Sequence, residues 1–349
     1  MKILIEALHG LGDTVCMLPM ISLVRKTYPA AYIVVLLKFS AAGDIIKSSD
    51  IKVNQILYLD IYKDIGYSLS LLRRLHLMHF DYGITSAVTP LKKARIFMGL
   101  IHPRKHIGLQ TMGKFFDTLG DTYHFVEANL LAVKEICPLP NDKQYPVMYP
   151  DRQIVSALRD KIGLPVSTLK VVGVCIGDAD PSLKNRYFRS GKVYTRSWGI
   201  ENMSRLISKL QRENIAIILI GGIREIQLLD YLRNHVKMDY HIINMVGKTS
   251  LNESIALVSL CNVVVGVDTG MQHIAAAVGA KTVSVFGPTN PATHGAYSKK
   301  AHFCLNRNVC PLQFCYGTKY YVNCPYGRVC MSSVSVDEVY NQIMKNLNN

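Results

Sequence analysis

The sequence predicts an α/β protein made of two doubly wound parallel sheets, one in each half of the chain. Three observations carry this. The strand candidates are continuous apolar runs without polar alternation, as in parallel sheets covered on both faces. Helix-period segments separate them. The pattern halts at a Pro-rich stretch and then restarts. A chain of 349 residues suits about two domains of roughly 100–200 residues. With 49% apolar and 19% charged residues, it is neither disordered nor of low complexity.

In the first half, KILIEAL (2–8) reads as a buried strand and GLGD as a tight turn. A helix follows over 14–28, with Val15, Leu18, Ile21 and Val24 at helical spacing. YIVVLLK (32–38), VNQILYLD (53–60) and FDYGITS (80–86) are further strands, with a helix around Tyr67–Met78. CPLPNDKQYPVMYPD (137–151) reads as a linker, and a short helix follows over Asp151–Lys161.

The second half repeats the alternation. Its strands are KVVGVCIG (170–177), IAIILIGG (215–222), HIINMVG (241–247), VVVGVD (263–268) and KTVSVFG (281–287). Its helices are Glu201–Glu213, Ile223–Val236, Leu251–Cys261 and one starting at Met271. The tail Val334–Leu347 reads as helical. The expected organisation is a first domain over 1–165, a second over 166–335 and a C-terminal helix over 336–349, with a cleft between two Rossmann-like domains.

Lys and Arg total 40 against 25 Asp and Glu, a formal net charge of +15. The first 165 residues carry 20 basic and 14 acidic side chains, the rest 20 and 11. No basic run is continuous and no nucleic-acid motif accompanies the charge, so nucleic acid is not an expected partner. A solvated basic surface, an anionic membrane and a phosphorylated acceptor all suit the balance. No stretch is long and apolar enough to span a bilayer, and MKILIEALHGLGD lacks a signal-peptide pattern. A cytoplasmic protein is expected.

Of nine cysteines, Cys16, Cys137, Cys175 and Cys261 sit in apolar surroundings and read as buried thiols. The others, Cys304, Cys310, Cys315, Cys324 and Cys330, fall within 27 residues. In a reducing compartment such a cluster raises a metal site.

The first turn, His9-Gly10-Leu11-Gly12-Asp13-Thr14-Val15, fails as a dinucleotide fingerprint. Val15 stands at the third glycine position, and the second strand ends on Leu37-Lys38 without the acidic residue for a ribose. This argues against an NAD-dependent oxidoreductase. What remains is Asp13 at a helix start. It is either a helix cap or a carboxylate at the ligand-binding carboxyl edge of a parallel sheet.

The richest stretch is Val263–Ala277, where a strand runs through Asp268-Thr269-Gly270 directly into a helix. Gly270 permits close backbone approach to a ligand. The free N–H groups and dipole of the first helical turn suit a phosphate. His273 lies one turn in, either facing that ligand or packed in the interior. The loop Phe286–Pro291 follows the next strand.

DTGMQHIAAAVGAKTVSVFGPTNP (268–291) is similar to the donor-binding signature of glycosyltransferase family 9, which includes the lipopolysaccharide and autotransporter heptosyltransferases. MKILIEALHGLGDTVCMLP resembles that family's N-terminal strand–turn–helix. RSWGIENMSRLI (196–207) resembles its Lys-x-Trp-Pro segment, and GGIRE (221–225) its Gly-Gly-x-x-Glu. Residues 40–165 carry no matched motif.

The resemblance implies the GT-B fold, with an acceptor-binding N-terminal domain and a nucleotide-sugar-binding C-terminal domain. It implies an inverting, metal-independent transferase using ADP-heptose, acting on a lipopolysaccharide core or a related glycan or protein hydroxyl. It makes Asp13 the catalytic base. It sets Arg196 at the donor diphosphate, Glu225 at the ribose, and Asp268, Thr269, Gly270 and His273 along the diphosphate and sugar. Peripheral contact with an anionic inner membrane fits the same picture.

The sequence departs from the pattern at three places. Arg196 replaces the usual Lys, keeping the charge but changing a point donor into a fork. Gly199 replaces the usual Pro. Residues 177–198 are long, and read either as a loop over the donor with Lys184, Arg186 and Arg189 on the phosphates or as a surface loop. Some family relatives hold iron with cysteines, and Cys310, Cys315, Cys324 and Cys330 suit a structural Zn or Fe site by ligand type. Packed free thiols are the other reading. Competing functions are a nucleotide-sugar epimerase, a transferase with a different nucleotide sugar, and a non-catalytic metal or scaffold protein.

Overall fold

A computed structural model describes residues 1–60, 63–108, 123–164, 170–177, 195–322 and 324–348. The chain divides into two compact units, Met1–Tyr149 and Pro150–Asn349.

The first unit holds β1 (Lys2–Ala7), α1 (Leu11–Thr27), β2 (Tyr32–Leu37), α2 (Ala42–Lys47), β3 (Gln55–Tyr58), α3 (Ile65–Leu77), β4 (Tyr82–Thr85), α4 (Leu91–Ile101), β5 (Lys105–Ile107) and α5 (Phe125–Ala132). Its sheet has the order β3-β2-β1-β4-β5, with every pair parallel. β1 and β2 each bury five of six residues, which explains their unbroken apolar sequences.

Right-handed crossovers set the helices α1 and α2 on one face of this sheet and α3 and α4 on the other. Leu71 and Leu75 of α3 and Met98 and Ile101 of α4 pack on Leu4, Val34 and Leu36 of the sheet. On the opposite side α1 packs on α5. Buried Asn129 of α5 accepts from the Ala87 N–H at 2.9 Å and so ties the loop after β4 to that helix. Arg25 closes α1 by donating to the Lys52, Pro29 and Ala31 carbonyls at 2.7–2.9 Å.

The second unit holds α6 (Arg152–Lys161), β6 (Lys170–Cys175), α7 (Ile200–Leu210), β7 (Ile215–Ile220), α8 (Ile226–His235), β8 (Ile242–Asn244), α9 (Leu251–Ser259), β9 (Val263–Val267), α10 (Gly270–Ala277), β10 (Lys281–Val285), β11 (Ala301–Cys304) and α11 (Val336–Asn348). Single helical turns lie at Ile223–Glu225, Pro291–His294, Lys319–Val322 and Val329–Ser332. Its sheet order is β11-β10-β9-β6-β7-β8, again all parallel.

The seam read from sequence at 165/166 differs from the contact boundary at Tyr149/Pro150. α6, placed before that seam by the sequence reading, packs on α9 and thereby joins the second unit. The tail helix is likewise part of this unit. Val339, Ile343 and Leu347 share a core with Val172, Val265 and Val283.

In both sheets the chain runs outward from the first strand and then returns to its other side. The reversals fall at β1, between β2 and β4, and at β6, between β7 and β9. Open α/β sheets bind ligands outside the carboxyl ends of their strands at such reversals. The β1–α1 turn with Asp13 follows one reversal strand. The β9–α10 turn, with Asp268, Thr269 and Gly270, follows a neighbour of the other.

Candidate active site

In the second unit, the carboxyl ends of β6, β7, β9 and β10 carry the residues singled out by sequence. Asp268 directly follows β9 and is only 5% exposed. Its Oδ2 accepts from Arg196 Nη1 at 3.0 Å and from Thr289 Oγ1 at 2.8 Å. The same Arg196 nitrogen donates to the Asp268 carbonyl at 3.2 Å. A buried carboxylate is tolerable only with such partners. Asp268 therefore holds a guanidinium in place at the strand ends, and Thr289 completes the clamp.

Thr269 is the N-cap residue of α10, and Gly270 is its first residue. The Thr269 hydroxyl makes no cap bond, and among the described residues its buried Oγ1 finds no hydrogen-bond partner. A buried hydroxyl left in this way costs free energy unless something external satisfies it. Beside it is the start of α10, where the first N–H groups of a helix lack intrahelical partners and favour an anion. His273, on the same helix, is buried.

Sequence reasoning passed over Gln272. Its Oε1 accepts from Ser284 Oγ at 3.0 Å, while its buried Nε2 has no partner among the described residues. The amide nitrogen packs close against Gly266 of β9. A Cβ at Gly266 would come within 2.8 Å of Gln272 Nε2 and 3.0 Å of Cys175 Cβ, so glycine is required there. The Gly inside VVVGV was the available signal, since a glycine in a strand marks close approach.

Glu225 ends the single turn after β7, and its Oε2 accepts from the Gly222 N–H at 2.7 Å. A Cβ at Gly177 would meet its Cγ at 2.8 Å, so the carboxylate lies across the end of β6. Beneath it, burial foremost and then the Glu225 charge push the Cys175 thiol up to about 12, which keeps it protonated.

Around Arg196 the segment is pinned by tertiary bonds. Trp198 is buried, and its Nε1 donates to the Val334 carbonyl at 2.9 Å. Arg328 donates to the Ser197 carbonyl at 2.8 Å. Gly199 has φ +92°, a conformation closed to proline, whose ring fixes φ near about −65°. The departure from Pro at this position therefore has a backbone reason. Lys184, Arg186 and Arg189 lie outside the described residues.

In the first unit, Asp13 is the third residue of α1. Its Oδ2 accepts from the Gly10 N–H at 3.1 Å, and among the described residues Oδ1 has no partner. The capping role and a carboxylate at the carboxyl edge of the sheet are therefore compatible, since the cap engages only one oxygen.

A second network, missed at the sequence level, braces the same turn. Glu6 of β1 is 2% exposed and accepts from the Leu8 N–H at 2.9 Å and from Thr89 Oγ1 at 2.8 Å. Thr89 Oγ1 also lies 2.6 Å from His9 Nε2. The single hydroxyl proton goes to Glu6, so the His9 Nε2–H donates to Thr89. A charged residue inside the apolar run KILIEAL was the signal.

Cys310, Cys315 and Cys330 are buried and Cys324 is half-buried. Burial, followed by the proximity of the other three, pushes Cys330 up to about 11. All nine cysteines are free thiols, and among the described residues no group of three or more His, Cys, Asp or Glu could hold a metal ion. The expected Zn or Fe site has no support in this arrangement. Cys330 packs instead against the loop after β10, where a Cβ at Gly287 would meet Met331 Sδ at 2.6 Å and Cys330 Sγ at 3.0 Å. Among the described residues no helix is long and apolar enough to cross a membrane.

Comparison with known proteins bears on this geometry. The chain is 31% identical over 108 residues to lipooligosaccharide heptosyltransferase 2 of Haemophilus influenzae, covering 30% of this chain and 31% of that relative. The sequence alignment thus spans about a third of the relative's length. The fold resembles that of the E. coli ADP-heptose lipopolysaccharide heptosyltransferase II, with a TM-score of 0.75 and 17% identity over 100% of this chain and 99% of that one. It also resembles E. coli heptosyltransferase WaaC with ADP, with a TM-score of 0.69 and 18% identity over 99% and 100% of the two chains. These likenesses show the fold, two Rossmann-like units of the GT-B class. The profile of glycosyltransferase family 9 (heptosyltransferase) matches residues 73–320, 248 of the 349 residues, and the chain belongs to that family.

Proposed function

We propose that the chain transfers heptose from ADP-heptose, with inversion, to a hydroxyl of a lipopolysaccharide core or a related glycan or protein acceptor. The observation that carries this is the unsatisfied edge of the second sheet. The orphaned Thr269 hydroxyl, the start of α10 and the clamped Arg196 converge on one turn and suit a diphosphate. Family membership and relatives whose donor is ADP-heptose support the choice of sugar and nucleotide.

In this reading the acceptor oxygen attacks the anomeric carbon as the bond from that carbon to the diphosphate oxygen breaks. Asp13 takes the hydroxyl proton through the carboxylate oxygen not engaged with Gly10. ADP leaves with its electron pair and its added negative charge. Arg196, oriented by Asp268, and the N–H groups at Thr269–Gly270 stabilise that charge. Glu225 accepts from the ribose hydroxyls. His273 lines the sugar side of α10. No step runs through a metal.

The first unit binds the acceptor and the second the donor. The protein works in the cytoplasm, in peripheral contact with the anionic inner membrane. The charge of +15 supports this contact.

A thermal-shift panel of ADP, UDP, GDP, CMP and NAD, repeated with Thr269→Val, tests the donor reading. Selective stabilisation by ADP, weakened in the variant, is expected. Selective stabilisation by UDP or GDP removes heptose as the sugar. A shift with NAD alone, or no shift with any nucleotide, overturns the donor site.

A further inference from the structure

α3 and α4 lie side by side over one face of the first sheet, and their outward surfaces are unusual. A soluble helix turns polar groups to water and apolar ones to the core. Here the inward positions are apolar, as expected: Leu71, Leu75, Ala94, Met98 and Ile101. The outward positions are apolar too. Ile65, Leu69 and Leu77 of α3 are 66%, 63% and 60% exposed, and Ile96 and Leu100 of α4 are 59% and 56% exposed. Scattered exposed leucines need no explanation, but five large side chains on two adjacent helices do.

Interleaved with them are five exposed cations, Arg73, Arg74, Lys92, Lys93 and Arg95. Neither helix contains an acidic residue, and among the described residues none of the five is in an ion pair. Ile96 and Leu100 sit one turn apart on α4, with Lys92 one turn before Ile96. The same stripe therefore carries cation, apolar and apolar in succession. His76, at the end of α3, contacts the His102 ring just past α4, with ring centroids 6.4 Å apart.

Cations with exposed aliphatics on one polar–apolar surface are the composition of an interfacial helix. The aliphatics enter the headgroup boundary and the cations meet lipid phosphates. A second copy of the chain fits less well. A two-fold interface sets a patch against itself, and five unpaired cations would face five more.

We infer that the α3–α4 face of the first unit is a membrane-docking surface for an anionic phospholipid bilayer, with Ile65, Leu69, Leu77, Ile96 and Leu100 inserting among the headgroups. This rests on the membrane contact proposed above and is independent of the transfer chemistry.

Vesicle co-sedimentation of the full chain, without donor or acceptor, tests it. Phosphatidylglycerol–phosphatidylethanolamine vesicles are compared with phosphatidylcholine vesicles, at low and high salt. Expected is salt-sensitive binding to the anionic vesicles alone. Lys92→Glu/Lys93→Glu should weaken it at least about tenfold, given the contribution of each cation near an anionic surface. Ile96→Gln/Leu100→Gln should weaken it severalfold at unchanged charge. Lys26→Glu/Lys52→Glu, the same charge change elsewhere on this unit, should bind as the parent does. Equal loss in that control, equal binding to both vesicle types, or no binding at all overturns the inference. So does concentration-dependent dimerisation in sedimentation velocity that Ile96→Gln/Leu100→Gln abolishes. ADP stabilisation of the same variants reports the donor site separately, so failure of one reading is distinguishable from failure of the other.

Discussion

Arg196 is held by Asp268 twice over, at 3.0 Å through the carboxylate and at 3.2 Å through the main-chain carbonyl. The two residues lie 72 positions apart in sequence, yet the second sheet's edge sets them together. An acidic residue beside a diphosphate would repel it. As the anchor of a cation it does the opposite, because it fixes the position of the guanidinium charge.

Removing the anchor and removing the cation should therefore differ. Arg196→Ala deletes the proposed phosphate donor and leaves a buried carboxylate with one side-chain partner, so both ADP affinity and stability should fall. Asp268→Asn keeps a partner for Arg196 but weakens its hold. It should lower ADP affinity about tenfold with a smaller loss of stability. Isothermal titration with ADP and denaturant unfolding check both. Equal ADP affinity in all three proteins contradicts the clamp.

The Glu6–Thr89–His9 network predicts a stability effect on the other unit. Thr89→Val keeps the shape but removes the hydroxyl that serves both neighbours. Glu6 is left buried with the Leu8 N–H as its remaining hydrogen-bond donor and the His9 ring at 3.7 Å, a loss of about 1–3 kcal/mol. Urea unfolding measures it. A change below about 0.5 kcal/mol, the usual range for surface substitutions, contradicts the network.

His106 predicts a pH dependence. It sits on β5, with Nε2 3.2 Å from Thr85 Oγ1. Burial foremost, and then the Arg95 charge, push its pKa down to about 4. An unfolded imidazole titrates near about 6.5. As pH falls from about 6.5 to about 4, the unfolded chain takes up a proton that the native ring refuses, so stability is lost through that window. His106→Gln should flatten the fall of Tm with pH between those limits. The same slope in both proteins contradicts the assignment.

The parallel sheets were legible because buried strands such as IAIILI and VVVGV can be nothing else at that length with those flanks. The Asp268-Thr269-Gly270 turn was legible because a strand running straight into a helix leaves few residues to choose from. Shorter elements were not. α2 has six residues, and β5 has three, of which two are Lys105 and His106. Neither is long enough to show a period. α4 carries its apolar residues on both faces, which hides the amphipathic pattern.

Long-range partners were also invisible. Thr89 reaches Glu6 across 83 residues, and Trp198 reaches Val334 across 136. The clustering of five cysteines suggested metal ligands, but closeness in sequence does not fix whether sulfurs converge. Here the Cys330 thiol packs beneath Gly287.

Heptose transfer with Asp13 as the base is tested by following product and ADP release from ADP-heptose with a lipopolysaccharide core acceptor. Asp13→Asn is the decisive variant, since its side-chain oxygen can still accept from the Gly10 N–H and keep the helix start intact. The account predicts acceptor-dependent transfer by the parent. In the variant it predicts a kcat lower by about 10²–10⁴ with ADP-heptose binding unchanged. Transfer at the parental rate by Asp13→Asn, or conversion of the donor sugar without any acceptor, would contradict it.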